Sequence, residues 1–172
     1  MLGLMMDRPL LISSIIDHAA LYHGDTEIVS RTIEGPMHRY TYRDAQTRSK
    51  RVANALATLG VHPGDRVGTV AWNGYRHFEL YYGVSGMGAI LHTVNPRLFP
   101  EQLVYIVNHA EDRILFVDLT FVPLAEAVAD KLPGVERYVV LTDSENMPET
   151  ALSNAIAYED FIAGPDGDYE GP

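Results

Sequence analysis

The chain contains no cysteine. That excludes a disulfide scaffold, a thiolate metal site and a cysteine nucleophile. No apolar run approaches the ~20 residues that a membrane-crossing helix needs. The apolar start, Met1-Leu-Gly-Leu-Met-Met, is too short for a signal peptide and is followed at once by Asp7. The expected location is therefore the cytoplasm. Lysine and arginine are missing from residues 143–172, which hold eight acidic residues. The other 142 residues carry 15 acids and 13 bases, a net of −2 against −10 for the whole chain. With no basic stripe there is no expectation of a nucleic-acid partner. The acidic run itself reads as a solvated segment.

Several chemical signatures are also missing. There is no GxxxxGK[ST] phosphate loop, no GxSxG nucleophile elbow, and no HxxxH or HExxH pair among the seven histidines. No catalytic residue and no metal ligand is therefore assigned. What is present is a globular composition, 47% hydrophobic and 21% charged over 172 residues, enough for one buried core.

Hydrophobic spacing organises the chain. Leu10 to Tyr22 has helical spacing at Ile12, Ile15, Ile16 and Ala19. Two β-rich runs, Glu27–Ile33 and Met37–Tyr42, flank Glu34-Gly35-Pro36 and predict a hairpin. Thr41 with Asp44 three residues on forms a capping box for a helix with Ala45, Ser49, Val52, Leu56 and Leu59 on one face. Strands follow at 66–72, 89–94, 113–118 and 135–142, separated by helices that carry Phe78, Tyr81, Tyr82 and Val84, then Leu103, Ile106, Val107 and Ala110 behind Pro100, then Val122–Leu132. That alternation predicts an α/β fold, a mostly parallel doubly wound sheet with helices on both faces, preceded by a helix and a β-hairpin. The strands are near-continuous apolar runs, as expected when both faces are covered. Beyond Asp143 the pattern fades, with one short helix at Asn154–Phe161 and a loop or linker from Gly164. The expected divisions are 1–60, 61–143 and 144–172, together one incomplete amino-terminal domain.

Few positions offer chemistry. Gly83-Val-Ser-Gly86-Met-Gly88 reads GxxGxG at the end of a helix, so close packing of helix against sheet is expected rather than phosphate binding. His92 lies near the carboxyl end of a strand expected to be central, where open α/β sheets bind ligands. It is a candidate on the substrate side; the alternative is a hydrogen-bonded core histidine. Trp72, before Asn73-Gly74, is a second substrate-side candidate, or else packs the strand end. Asn95-Pro96-Arg97 follows the strand of His92, and the Arg97 fork suits a phosphate. The alternative there is a solvated arginine in a proline-directed loop.

Read together, several stretches resemble the amino-terminal part of the AMP-forming fatty acyl-CoA synthetases of the adenylate-forming superfamily. The strongest run is Gly83 to Asp112, with His92-Thr-Val-Asn-Pro-Arg-Leu98 and Ile106-Val-Asn-His-Ala-Glu-Asp112 inside it. Tyr40-Thr-Tyr42 and Leu59-Gly-Val-His-Pro-Gly-Asp-Arg-Val67 add support in the same order. The resemblance implies an ATP-dependent ligase: a fatty or other carboxylic acid and ATP give an acyl-adenylate and pyrophosphate, and coenzyme A then displaces AMP, with magnesium accompanying ATP. It places Asn95, Pro96 and Arg97 toward the nucleotide of coenzyme A. The family's Thr/Ser/Gly-rich phosphate signature and its carboxy-terminal lysine match nothing here. The chain is thus expected to be an inactive amino-terminal fragment with no cofactor tightly bound, and to self-associate, as a homodimer, through its amino-terminal helix or hairpin. The alternative is a stand-alone, non-catalytic α/β binding or dimerisation module.

Overall fold

A computed structural model describes residues 9–164 and Tyr169. The apolar start and most of the loop from Gly164 lie outside the described residues. Helix α1 (Ser13–Tyr22) leads into a hairpin of β1 (Glu27–Arg31) and β2 (Met37–Thr41), paired antiparallel from Glu27↔Thr41 to Arg31↔Met37. Only Ile16 and Ala20 of α1 are buried; Ile12 and Ile15, placed by spacing on the inner face, are exposed. Thr41 then caps α2 (Tyr42–Thr58), with both halves of the capping box formed with Asp44. The inward face is as the spacing predicts at Ala45, Ser49, Val52 and Leu56.

The parallel sheet holds β3 (Arg66–Val70), β4 (Ile90–Thr93), β5 (Ile114–Val117), β6 (Arg137–Val140) and β7 (Ala155–Ala157), in the order β4-β3-β5-β6-β7. Every neighbouring pair is parallel. Side chains alternate between faces. Ile114 and Phe116 join the core with α2, α3 (Tyr75–Gly86) and α6 (Tyr158–Ile162). Leu115 and Val117 join a second core with α4 (Pro100–Ala110) and α5 (Val122–Glu126). The doubly wound architecture is therefore observed, with a core on each side of the sheet.

Four local expectations are corrected. The strand of His92 is an edge strand rather than a central one, and its burial is partial because one flank has no partner strand among the described residues. Residues 122–132 form α5 and then a 3-10 turn at Ala129–Lys131, not one helix. Val128 and Leu132 remain buried in the second core despite the break. Asn154–Phe161 is not one helix either: Ala155–Ala157 pairs with β6 and only then does α6 begin. Two of its three residues are alanine, which carries no strand signal. On α3, Tyr81 is exposed, and the buried set is Tyr75, Arg76, His77, Glu79, Leu80, Gly83 and Val84.

The glycine cluster packs helix on helix rather than helix on sheet. A Cβ at Gly83 would stand 2.7 Å from the Ser49 carbonyl oxygen and 2.7 Å from Val52 Cβ. Backbone on that side cannot give way as a flexible side chain can. Gly83→Ala should therefore destabilise the chain by about 1–3 kcal/mol in urea unfolding, against the usual gain of alanine in a helix.

Candidate functional site

In a parallel sheet all strands end on one edge, so the loops after β3, β4, β5 and β6 collect there. That edge holds Trp72-Asn73-Gly74, Asn95-Pro96-Arg97, Asp118 and Leu141-Thr142. It is where open α/β sheets bind ligands. The turn of the β1–β2 hairpin lies over part of this edge and brings Glu34 into it.

The sequence candidates fall in different settings. Trp72 is partly exposed and its ring centroid lies 5.0 Å from that of Phe121, so it packs the strand end. Asn95 makes a turn of its own loop, accepting the Arg97 backbone N–H at 3.0 Å. The Arg97 side chain is exposed and has no ion pair among the described residues. A free guanidinium on a fixed turn fits a phosphate.

His92 is turned away from that loop. Its Nδ1 lies 2.7 Å from Asp112 Oδ2, at the start of β5 rather than at its end. Its neighbour across the ladder is Gly68, where a Cβ would stand 2.9 Å from the same Asp112 oxygen. Gly68 thus leaves room for the Asp112 carboxyl. Burial raises the affinity of Asp112 for its proton, and His92 opposes that. The pair ties the edge strand to the α4–β5 corner, so His92 is hydrogen-bonded but sits at a partly exposed sheet edge rather than in the core.

The residues that dominate the edge were not singled out by sequence. Arg76 Nη1 donates to Glu34 Oε1 at 2.8 Å and to the Leu141 carbonyl at 3.0 Å, while its Nε donates to Glu159 Oε1 at 2.9 Å. The Thr142 hydroxyl also donates to Glu34 Oε1, at 2.9 Å. Burial opposes ionisation of Glu34, but its backbone N–H, Arg76 and Thr142 outweigh it and hold the carboxyl below its ordinary range. His77 is buried with Nδ1 3.1 Å from the Trp72 carbonyl and Nε2 3.2 Å from Thr69 Oγ1. Burial pushes its pKa down, which favours the neutral ring. Asp118 is pushed up by burial, against nearby backbone N–H groups. A signal for Asp118 did exist, since an acid directly ending an apolar strand sits at this edge. Arg76 and Glu34 gave none, because their meeting depends on how the hairpin folds back. Among the described residues no three His, Cys, Asp or Glu side chains converge as a metal site.

Within the acidic run Glu145, Glu149 and Asp160 are exposed, as the solvated reading expects; Glu159 is the exception. It accepts from Arg48 at 2.9 Å, from Arg76 at 2.9 Å and from the Tyr75 hydroxyl at 2.9 Å. Burial would raise its pKa, but Arg48, Arg76 and Tyr75 prevail and lower it. A lowered folded pKa gives stability that is complete above the ordinary glutamate value near 4.5 and is lost as pH falls through the folded value. Thermal unfolding of Glu159→Gln from pH 7 to pH 3 should therefore start lower than wild type and show a shallower acid limb. An acid limb of unchanged slope would remove Glu159 from this role.

Known proteins share both sequence and fold with this chain. The pattern of the family described as "AMP-binding enzyme" matches residues 16–167. A 3-methylmercaptopropionyl-CoA ligase of Ruegeria lacuscaerulensis is 49% identical over 172 residues, which is 100% of this chain and 32% of that protein. A long-chain-fatty-acid–CoA ligase of Thermus thermophilus is 43% identical over 158 residues, 92% of this chain and 28% of that protein. The fold matches that of the anthranilate CoA ligase AuaEII in complex with anthranoyl-AMP, with a TM-score of 0.80, 24% identity, and coverage of 96% of this chain and 30% of that one. The chain spans about a third of the length of the relatives it matches. With the family pattern running through almost all of the sheet and its helices, the chain belongs to the AMP-binding enzyme family.

Proposed function

We propose that this chain forms the amino-terminal wall of an ATP-dependent acyl-CoA ligase, which joins a carboxylic acid to coenzyme A and releases AMP and pyrophosphate. The observation that carries this is the 49% identity to a 3-methylmercaptopropionyl-CoA ligase across the whole chain. Identities of 42% to a medium-chain-fatty-acid–CoA ligase of Ectopseudomonas oleovorans and 43% to the long-chain ligase of Thermus thermophilus support an aliphatic acid as substrate without selecting its length. The chain's own part is structural. Its sheet edge presents the Asn95-Pro96-Arg97 turn, whose free guanidinium would meet a phosphate of coenzyme A. ATP, with magnesium, and the acid would be held mainly by other segments, since no phosphate loop occurs in these 172 residues.

Pyrophosphate exchange tests this in two forms of the protein. The chain alone should give none with any C2–C10 acid. The chain fused to the remaining two thirds of the Ruegeria lacuscaerulensis ligase should regain exchange and thioester formation. In that fusion Arg97→Ala should raise the KM for coenzyme A several-fold and leave exchange unchanged. Turnover by the chain alone would overturn the structural role, and a folded fusion without exchange would overturn the ligase reading.

A further inference from the structure

The β1–β2 hairpin is attached differently from the rest of the chain. Among the described residues its two strands pair only with each other, not with the five-stranded sheet. None of its residues belongs to either core that flanks the sheet. Ile28 and Tyr40 pack instead in a small separate cluster with Ile16, Ala45 and Tyr75. Val29 and Met37 leave apolar surface in water. Lifting the hairpin would therefore open neither main core, and a segment with few buried apolar contacts is the kind that opens locally. It would uncover the half-open slot at the carboxyl edge, whose lining includes Arg31, Trp72, Arg76 and Asp118.

Two contacts that depend on a proton hold the hairpin down. At the tip, Glu34 Oε1 accepts from Arg76 and from Thr142. At the stem, His38 of β2 lies flat on Tyr75 of α3, with ring centroids 3.6 Å and planes 12° apart, and Tyr40 stands edge-on to it at 4.7 Å. His38 Nε2 is out of contact with water and has no hydrogen-bond partner. A proton there would make an N–H with no acceptor. It would also add a third cation at one ring, since the guanidinium carbons of Arg76 and Arg48 already stand 4.7 Å and 5.6 Å from the Tyr75 centroid. The closed hairpin thus needs Glu34 ionised and His38 neutral.

We propose that the β1–β2 hairpin is a proton-operated lid, closed over the carboxyl edge of the sheet at neutral pH and opening as a unit on acidification. The groups around His38 do not all act alike. Burial disfavours its proton most; Arg48 of α2 and Arg76 of α3 act in the same sense, while Glu159 of α6 and Asp44 of α2 oppose them. Glu159 is already engaged by both arginines and the Tyr75 hydroxyl, and Asp44 by the Thr41 cap. Glu79 of α3 is taken by Arg48 and Tyr158. Burial pushes the Tyr40 and Tyr75 hydroxyls up, so both stay neutral. The balance holds His38 below the ordinary histidine value near 6.5. Closure is therefore complete above that value. Below it the open hairpin takes the proton first, so closure weakens as pH falls toward the lower value of the closed form. Glu34, also held low, adds to this only below the ordinary glutamate value near 4.5. The lid is built wholly from this chain and does not rest on the ligase reading.

Amide hydrogen exchange of the chain tests this, with each rate divided by that of the same peptide when unstructured. At neutral pH residues 27–41 should exchange roughly tenfold faster than β3, β5 and β6, and should respond less to low urea. On moving from neutral pH to about one unit below the ordinary histidine value, the hairpin should loosen several-fold further and the sheet much less. His38→Phe keeps a ring on Tyr75 but cannot take a proton, so it should remove that response; it leaves His77, beside the slot, in place. Glu34→Gln should loosen the hairpin at both pH values and keep the response. Equal protection of hairpin and sheet would overturn the proposal, as would a pH response that survives in His38→Phe. If His38→Phe does not fold, the wild-type His38 ring titration by NMR decides. A midpoint below the ordinary histidine value that coincides with the loosening supports the lid, and a midpoint at or above it overturns the lid.

Discussion

Glu79 sits in the middle of α3 with its side chain wholly excluded from water, and the rest of the chain is arranged around the need to answer that charge. Arg48 of α2 donates to it at 2.8 Å, and the buried Tyr158 hydroxyl of α6 donates at 2.7 Å. The same guanidinium then reaches Glu159 with its Nη2, and Glu159 passes the linkage to Arg76, Glu34 and Thr142. One polar chain thereby joins α2, α3, α6, the hairpin turn and the end of β6. It also depends on packing: Gly83 lets α2 approach α3 closely enough to bring Arg48 within reach. Such a network is not a strong source of net stability, because removing charges from water cancels much of their attraction. Its effect is on geometry, since any arrangement that separates one member leaves another charge buried alone.

That constraint explains how short elements hold their places. Helix α6 has five residues, too few to persist by its own hydrogen bonds. Tyr158, Phe161 and Ile162 bury its apolar face, and Glu159 fixes its first turn to two arginines. The hairpin is a two-stranded ribbon outside the main sheet, and its turn is held down by Glu34. The result is that the hairpin turn, the start of α3 and the end of β6 are held together at the carboxyl edge.

What could be read from the sequence was local or periodic. The capping box at Thr41–Asp44, the hairpin, the apolar strands and Pro100 at the first turn of α4 all rest on residues a few positions apart. The resemblance to acyl-CoA synthetases rested on contiguous residues too, and the family match bears it out. Strand order was beyond reach because it is set by contacts distant in sequence, so the edge position of β4 and the turning of His92 toward Asp112 emerged only in three dimensions. β7 was hidden because Ala155-Ile-Ala157 has no alternation to detect. The ionic network was invisible for the same reason as strand order: Glu34 and Thr142 meet across 108 positions, and Arg48 and Glu159 across 111. A charge run in sequence looks solvated until its partners are located.

The most direct test of the account is a double-mutant cycle on Arg48 and Glu79, read by urea unfolding of wild type, Arg48→Met, Glu79→Leu and the double variant. If the buried charges constrain one another as described, each single change should cost about 3–5 kcal/mol, since it strands its partner, and the double change should cost clearly less than the sum. Losses that simply add would mean the two charges are independent, and the network would not be what holds the helices and the hairpin in register.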